Sequence, residues 1–212
     1  MKKIILPKKI FVTGTDTEIG KTFVSCVLAK KMNASYWKII QTGDDSDKDF
    51  VKNITGFEKE KFIDEAYKLK NPLSPYAASV KENKNIEIEN ILKKFNEIKD
   101  EKLVCEGAGG VMVPIKKDYF MSDLIKDLNL SSVVAARSGL GTINHSLLTI
   151  EHLKNKGIDI SCIILNGELN YDNEKIIEEI TEIPVLSFGY FDFSKKIDFQ
   201  KLFEDKFRFE IN

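Results

Sequence analysis

Short apolar or β-branched runs alternate along the chain with segments whose apolar residues recur every three or four positions, the pattern of a parallel sheet covered by crossover helices. Strands are predicted near Lys9–Thr13, Tyr36–Ile40, Leu103–Glu106, Ser132–Ala136, Ser161–Asn166 and Val185–Phe188. Helices are predicted near Lys21–Met32, Ile88–Ile98, Ser122–Leu128, Ile143–Lys156 and Asn173–Thr181. The helical period is plainest at Ile88, Ile91, Leu92, Phe95 and Ile98, with Glu and Lys on the opposite face. Residues 41–85 are dominated by Asp, Lys and Asn around small apolar clusters at Phe62-Ile63 and Tyr76-Ala77-Ala78. Between two sheet strands, that composition predicts short helices and functional loops rather than a linker. In the tail, Ile197, Phe199, Leu202, Phe203 and Phe207 fall near helical spacing, which predicts a terminal helix over Ile197–Phe209. The expected architecture is one α/β domain over residues 1–212, with a mostly parallel central sheet and helices on both faces.

Charge changes this picture by exclusion. The 33 acidic residues balance 32 basic ones, and only Arg137 and Arg208 are arginines, so a nucleic-acid-binding surface is not expected. Cys26, Cys105 and Cys162 are far apart and odd in number, which suits neither a disulfide framework nor a zinc site and fits a reducing cytoplasm. The apolar start Ile4-Ile5-Leu6 stops at Pro7, and no later run approaches membrane-spanning length, so no membrane association is expected.

The sharpest chemical signal is the strand Lys9-Ile10-Phe11-Val12-Thr13 running into Gly14-Thr15-Asp16-Thr17-Glu18-Ile19-Gly20-Lys21-Thr22 and then an apolar helix. Strand, glycine-bounded turn and helix start are the context of a phosphate-binding loop. Backbone N–H groups at the helix N-terminus favour phosphate oxygens, Lys21 would reach the β- and γ-phosphates, and the Thr22 hydroxyl would meet Mg²⁺. Five residues rather than four separate Gly14 from Gly20, so the strict Walker spacing is missed by one. A second strand ends in Glu106 and runs into Gly107-Ala108-Gly109-Gly110, where an acid followed by small residues suits a metal ligand beside bound phosphate. Asn155-Lys156-Gly157-Ile158-Asp159 is one residue too long for a guanine-reading motif and reads as a helix end closed by Gly157. Asp16 stands where partition and cell-division ATPases carry an additional lysine.

The Val12–Thr22 loop, Lys38 with Thr42-Gly43, Glu106-Gly107-Ala108-Gly109-Gly110, and Gly141-Thr142-Ile143-Asn144-His145, in this order, resemble the dethiobiotin synthetases. The resemblance spans roughly residues 8–166 and is most distinctive in the Thr-Gly-Thr-Asp-Thr-Glu loop. It implies a P-loop NTPase-like fold and a cytoplasmic homodimer that converts 7,8-diaminononanoate, CO₂ (or bicarbonate) and MgATP to dethiobiotin, ADP and phosphate. It also implies catalytic roles for Lys21, Lys38 and Thr17. The nucleotide site would comprise Glu18, Ile19, Gly20, Lys21, Thr22, Phe23, Asp47, Glu106, Gly107, Ala108, Gly109 and Asn166, with Thr22, Asp47 and Glu106 on Mg²⁺. Thr42, Gly139, Leu140, Gly141, Thr142 and Asn144 would hold the substrate, Asn144 reaching in from the partner subunit.

Several of these residues have a plain alternative. Lys38, taken alone, is a solvated lysine near the end of a strand expected to neighbour the phosphate-loop strand. Asp44, Asp45, Asp47 and Asp49 crowd one loop, and such a charge run is ordinarily solvated; Ser46-Asp47 is the matching pair and Asp45 the alternative. Glu18 either orients the substrate amines or favours the helix N-terminus through its dipole. Gly139-Leu140-Gly141-Thr142 offers helix-start N–H donors to a carboxylate, or is a simple connection with Thr142 as N-cap. Ser74-Pro75 resembles the family's substrate-side helix start and equally suits an ordinary one. His145 and His152 share a helix face without a third ligand, which points to packing or solvent rather than a metal.

The chain departs from the resemblance downstream. Asn166-Gly167 stands where similar enzymes have Asn-Asp for the nucleotide base, and Ser187-Phe188-Gly189-Tyr190 replaces an expected Gly-x-Ile/Leu-Pro stretch, so the preferred base is not legible. Two other functions remain open. A related amide-forming synthetase ordinarily carries a glutaminase domain that 212 residues leave no room for. A regulatory ATPase switch would have no need of Lys38, Thr42 or the Gly141–His145 loop.

Overall fold

The computed structural model describes residues 3–191, 197–199 and 208–211. Its strands are β1 (Lys3–Leu6), β2 (Lys9–Gly14), β3 (Ser35–Lys38), β4 (Ile40–Thr42), β5 (Phe62–Ile63), β6 (Tyr67–Leu69) and β7 (Leu103–Gly110), followed by β8 (Pro114–Lys116), β9 (Tyr119–Phe120), β10 (Ser131–Arg137), β11 (Ile160–Asn166), β12 (Val185–Phe188) and β13 (Arg208–Ile211). Its α-helices are α1 (Lys21–Met32), α2 (Asp47–Thr55), α3 (Pro75–Lys81), α4 (Ile88–Glu97), α5 (Met121–Asp127), α6 (Thr142–Asn155) and α7 (Tyr171–Thr181). Seven strands form the main sheet in the order β12-β11-β10-β2-β7-β3-β5, and each neighbouring pair is parallel.

Period-two alternation within buried strands assigns the helices to faces. Ile10 and Val12 of β2, Val104 of β7, and Val133 and Ala135 of β10 pack with Val24, Val27 and Leu28 of α1. Phe11, Cys105, Val134 and Ala136 point the other way, against Ile91 of α4, Leu124 of α5, Ile150 of α6 and Ile177 of α7. Because both faces are covered, the strands are apolar throughout, which is why they read as runs. Because the strands are parallel, the loops that follow β2, β7 and β10 emerge together at the carboxyl edge of the sheet, where open α/β sheets bind ligands.

The structure corrects several expectations. The strand read over Tyr36–Ile40 is two strands. The Ile39 amide donates to the Glu106 carbonyl at 3.2 Å, while the Ile39 carbonyl accepts from Ala66 N at 2.9 Å, so the chain leaves β7 there and β4 pairs with β6 instead. β3 neighbours β7, not the phosphate-loop strand, because β7 inserts between them. Residues 41–85 hold α2, a short 3₁₀ turn at Lys59–Lys61, β5, β6 and α3. The predicted terminal helix lies largely outside the described residues. At its end, Arg208 and Phe209 belong to β13, paired parallel with β1, so the helical reading fails there. Ile197 and Phe199 pack against the α1 face of the core.

Candidate active site

β2 delivers its carboxyl end into residues 15–20, which Gly20 closes as the N-cap of α1 at φ +86°. A Cβ on Gly20 would stand 2.9 Å from Asn166 Nδ2, so the left-handed backbone and the close approach both require glycine. Asn166, at the end of β11, donates to the Ile19 carbonyl at 2.8 Å and ties the loop to the sheet. Thr15 N donates to the Ala135 carbonyl at 3.0 Å, and Arg137 pairs with Asp16 at 2.9 Å on the surface. Lys21 folds back over the loop, where its Nζ donates to the Asp16 carbonyl at 2.7 Å. Burial, reinforced by the neighbouring Lys38 cation, lowers its pKa to about 8 even though Glu106, Asp47 and Asp16 pull the other way. Phosphate oxygens would relieve that strain on its charge.

β3 and β7 supply the cleft floor. Their parallel register sets Lys38 opposite Glu106. Glu106 is fully buried; its Oε1 accepts from Lys38 Nζ at 2.8 Å and lies 3.0 Å from the Thr22 hydroxyl, while Oε2 accepts from the Tyr36 hydroxyl at 2.9 Å. Lys38 Nζ also sits 2.6 Å from Asp47 Oδ2 and donates to the Gly107 carbonyl at 3.0 Å. Burial opposes charge on Lys38, but the Glu106 and Asp47 carboxylates outweigh it and raise its pKa above the ordinary lysine value. Lys38 is therefore a fixed cation, 6% exposed, and the solvated-lysine alternative fails. Burial, then Glu106 and Asp47, push the Tyr36 phenol well up as well, so it stays a donor.

Asp47 is the first residue of α2, held there because the Ser46 side chain caps the helix by accepting from Asp49 N at 3.1 Å. Its Oδ1 lies 3.2 Å from the Thr22 hydroxyl. Of the two candidate aspartates, Asp47 is thus the one directed at Thr22 and Lys38, whereas Asp45 is exposed at the rim.

These groups line one cleft of about 480 Å³, together with Thr17, Glu18, Gly20, Gln41, Thr42, Asp45, Ala108 and Gly109. A second cavity of about 380 Å³ adjoins it through Glu18 and Gly20 and is walled by Phe23, Arg137, Asn166, Gly167, Gly189, Tyr190 and Phe191. Asn166 Oδ1 is buried without a hydrogen-bond partner among the described residues. The departure at Gly167 has a steric reason: its φ is +122° and a Cβ would come 2.7 Å from Ser138 Oγ. Ile19 contributes its carbonyl, its side chain being in the core.

The structure does not bring every predicted residue to the cleft. Gly139, Leu140, Gly141, Thr142 and Asn144 open α6 at the same sheet edge, but none of them lines it. Thr142 is not the N-cap; Gly141 is, at φ +89°, and Thr142 is the buried first helical residue, its hydroxyl 3.5 Å from Ser146 Oγ. Leu140 is fully exposed. His152 packs, with Nε2 2.9 Å from Ser122 Oγ. Ser74 caps α3 and Pro75 starts it. Two residues escaped sequence reading. Gln41 is buried in the cleft wall, accepting from Asp47 N at 3.4 Å. Tyr36 is betrayed only by its two-residue spacing from Lys38, which puts both on one strand face.

The Thr22 hydroxyl lies 3.2 Å from an Asp47 oxygen and 3.0 Å from a Glu106 oxygen, a hard-donor set that suits Mg²⁺ shared with phosphate oxygens. Among the described residues no three His, Cys, Asp or Glu side chains cluster to hold a metal alone. Chemically, two lysine cations and this oxygen set surround a space suited to phosphoryl transfer.

Residues 8–198 match a family described as an AAA domain. The chain is 43% identical to the ATP-dependent dethiobiotin synthetase BioD of Methanocaldococcus jannaschii, over 91% of this chain and 99% of that one. It is 42% identical to the protein of the same name from Endomicrobium trichonymphae, over 92% of this chain and 96% of that one. A ParA family ATPase from Chlorobium tepidum superposes with a TM-score of 0.57 over 92% of this chain and 88% of its own, at 12% identity, a likeness of fold alone.

Proposed function

The chain belongs to the ATP-dependent dethiobiotin synthetases, and on that premise we propose how its cleft performs the ring closure. The meeting of Lys21, Thr22, Lys38, Asp47 and Glu106 in one cleft carries the proposal. One amine of 7,8-diaminononanoate adds to CO₂ and releases a proton, giving a carbamate. A carbamate oxygen attacks the γ-phosphorus of ATP, and ADP leaves. The second amine then attacks the carbonyl carbon of the mixed anhydride, phosphate leaves, the amine releases a proton, and the cyclic urea is complete. Negative charge develops on oxygen at each stage. Lys21 holds the β- and γ-phosphates, while Lys38, kept charged by its two carboxylates, holds the carbamate and the transferring group. Thr22, Asp47 and Glu106 would hold Mg²⁺, which would supply charge neutralisation on the phosphates. Thr17 and Thr42 line the cleft where the substrate's reacting end would lie, and the Asn166 cavity receives the base.

The substrate carboxylate lies far from its amines and needs a separate anion site. The Gly139–Asn144 helix start, outside its own chain's cleft and exposed at Leu140 and Asn144, supports a two-fold homodimer in which that segment serves the partner's cleft. The buried free thiols of Cys26, Cys105 and Cys162 are consistent with work in a reducing cytoplasm. Among the described residues no helix is long and apolar enough to cross a membrane.

Phosphate release from ATP, measured with and without the diamine and bicarbonate, tests the reaction. It is expected only when all are present; release indifferent to the diamine supports a regulatory switch instead. The shared site has its own test. Lys21→Ala and Asn144→Ala chains, each inactive, form mixed dimers in which one site carries both defects and the other neither. After full subunit exchange at equal mixing, half the dimers are mixed and activity is expected to recover to about a quarter of wild type. Mixed dimers with no recovery would place both residues in one chain's site.

A further inference from the structure

Tyr36 is fully buried, yet its hydroxyl reaches into the charged floor of the cleft. Register explains the reach: Tyr36 stands opposite Val104 on β7, so Glu106 is its diagonal neighbour on the shared face. The ring is clamped from the other side by a small cluster that includes Cys26 of α1 and Val51 of α2, and by Phe62 of β5 edge-on at 6.3 Å. Its hydroxyl is the partner of Glu106 Oε2, while Oε1 alone meets Thr22 and Lys38. A carboxylate held by one oxygen from behind cannot rotate about its terminal bond without breaking that hydrogen bond. We infer that Tyr36 is a positioning residue whose hydroxyl fixes the Glu106 carboxylate with Oε1 toward the nucleotide-bound cation.

The inference rests on the proposed cation site and adds a residue that touches neither substrate nor nucleotide. Partners behind a metal ligand commonly govern metal affinity by about 10–100-fold. Tyr36→Phe keeps the ring and removes only the hydroxyl. It is expected to raise the Mg²⁺ concentration that half-saturates turnover about tenfold or more, with kcat at saturating Mg²⁺ changed by less than about threefold. Mn²⁺ binding in the presence of ADP, read by electron paramagnetic resonance, is expected to weaken in parallel, without reference to turnover. Phe62→Leu serves as the packing control: it loosens the same ring and lowers the melting temperature but leaves metal affinity unchanged. Wild-type Mn²⁺ affinity in Tyr36→Phe overturns the role of Tyr36 alone. An equal shift in Phe62→Leu also overturns it, since packing rather than the hydroxyl would then be responsible. If the wild-type protein with ADP fails to bind Mn²⁺, the cation site itself falls and the inference with it.

Discussion

Lys21→Met is expected to make the free protein harder to unfold at pH 7 and unable to turn over ATP. Lys21 is 7% exposed and its pKa of about 8 lies below the ordinary 10.5, so the fold favours the neutral amine. Below pH 8 the folded state carries the whole penalty of a buried cation; the penalty shrinks as pH rises past 8 and is gone above 10.5. Methionine fills similar space without charge. Against the gain stands the lost bond to the Asp16 carbonyl, so the net stabilisation is about 1–3 kcal/mol. For a chain of this size that corresponds to roughly 3–10 °C in melting temperature. Turnover should fall by at least about 10²–10³-fold if, as proposed, the lost charge faces the transferring phosphoryl group. Thermal melts from pH 7 to 10 are expected to show the gap between variant and wild type closing. A variant less stable than wild type at every pH would mean that the bond to Asp16 outweighs the cost of burying the charge, and turnover near wild type would remove Lys21 from the phosphate site.

The phosphate-loop setting of Lys21 was legible in the sequence, since strand, Gly20 and helix start flank it in register; its burial was not, the sequence alone suggesting a lysine on a surface loop. The bounds of α1 were readable because Gly20 and Asn33 both take left-handed backbone, at φ 86° and 51°, and close the helix at each end. Strands buried on both faces, such as Ile163–Leu165, were readable because burial on both sides makes them continuous apolar runs. What sequence could not convey was adjacency. Lys38 looked solvated because the residues that bury it arrive later in the chain, when β7 returns to lie between β2 and β3. Tyr36 was silent because only the β3–β7 register gives its hydroxyl a partner. At the last two residues of the predicted terminal helix, Arg208 and Phe209, β1 offered an open strand edge, and pairing prevailed there over the local period. The loss of an acid after Asn166 was visible as a departure; its steric origin in Ser138 was not.

Lys38→Met should have the opposite effect on stability and a similar one on chemistry. Here the cation lies within 2.8 Å of both Asp47 and Glu106, and Glu106 is fully buried. Removing one partner of a buried ion pair leaves the other uncompensated, which typically destabilises by about 3–5 kcal/mol. Two carboxylates would also face each other across the cleft floor, with the Gly107 carbonyl losing its donor. The melting temperature is therefore expected to drop by roughly 10 °C, and turnover by about 10²–10³-fold. A second substitution separates the causes. Glu106→Gln added to Lys38→Met removes the orphaned charge and should restore much of the lost stability while leaving the enzyme inactive. Denaturant unfolding of the four proteins gives the coupling between positions 38 and 106, expected to be several kcal/mol given their contact. If Lys38→Met unfolds at the wild-type denaturant concentration, the carboxylates do not depend on Lys38 for their burial. Its place in the cleft would then rest on chemistry alone, to be judged by whether bicarbonate-dependent phosphate release survives the loss of charge.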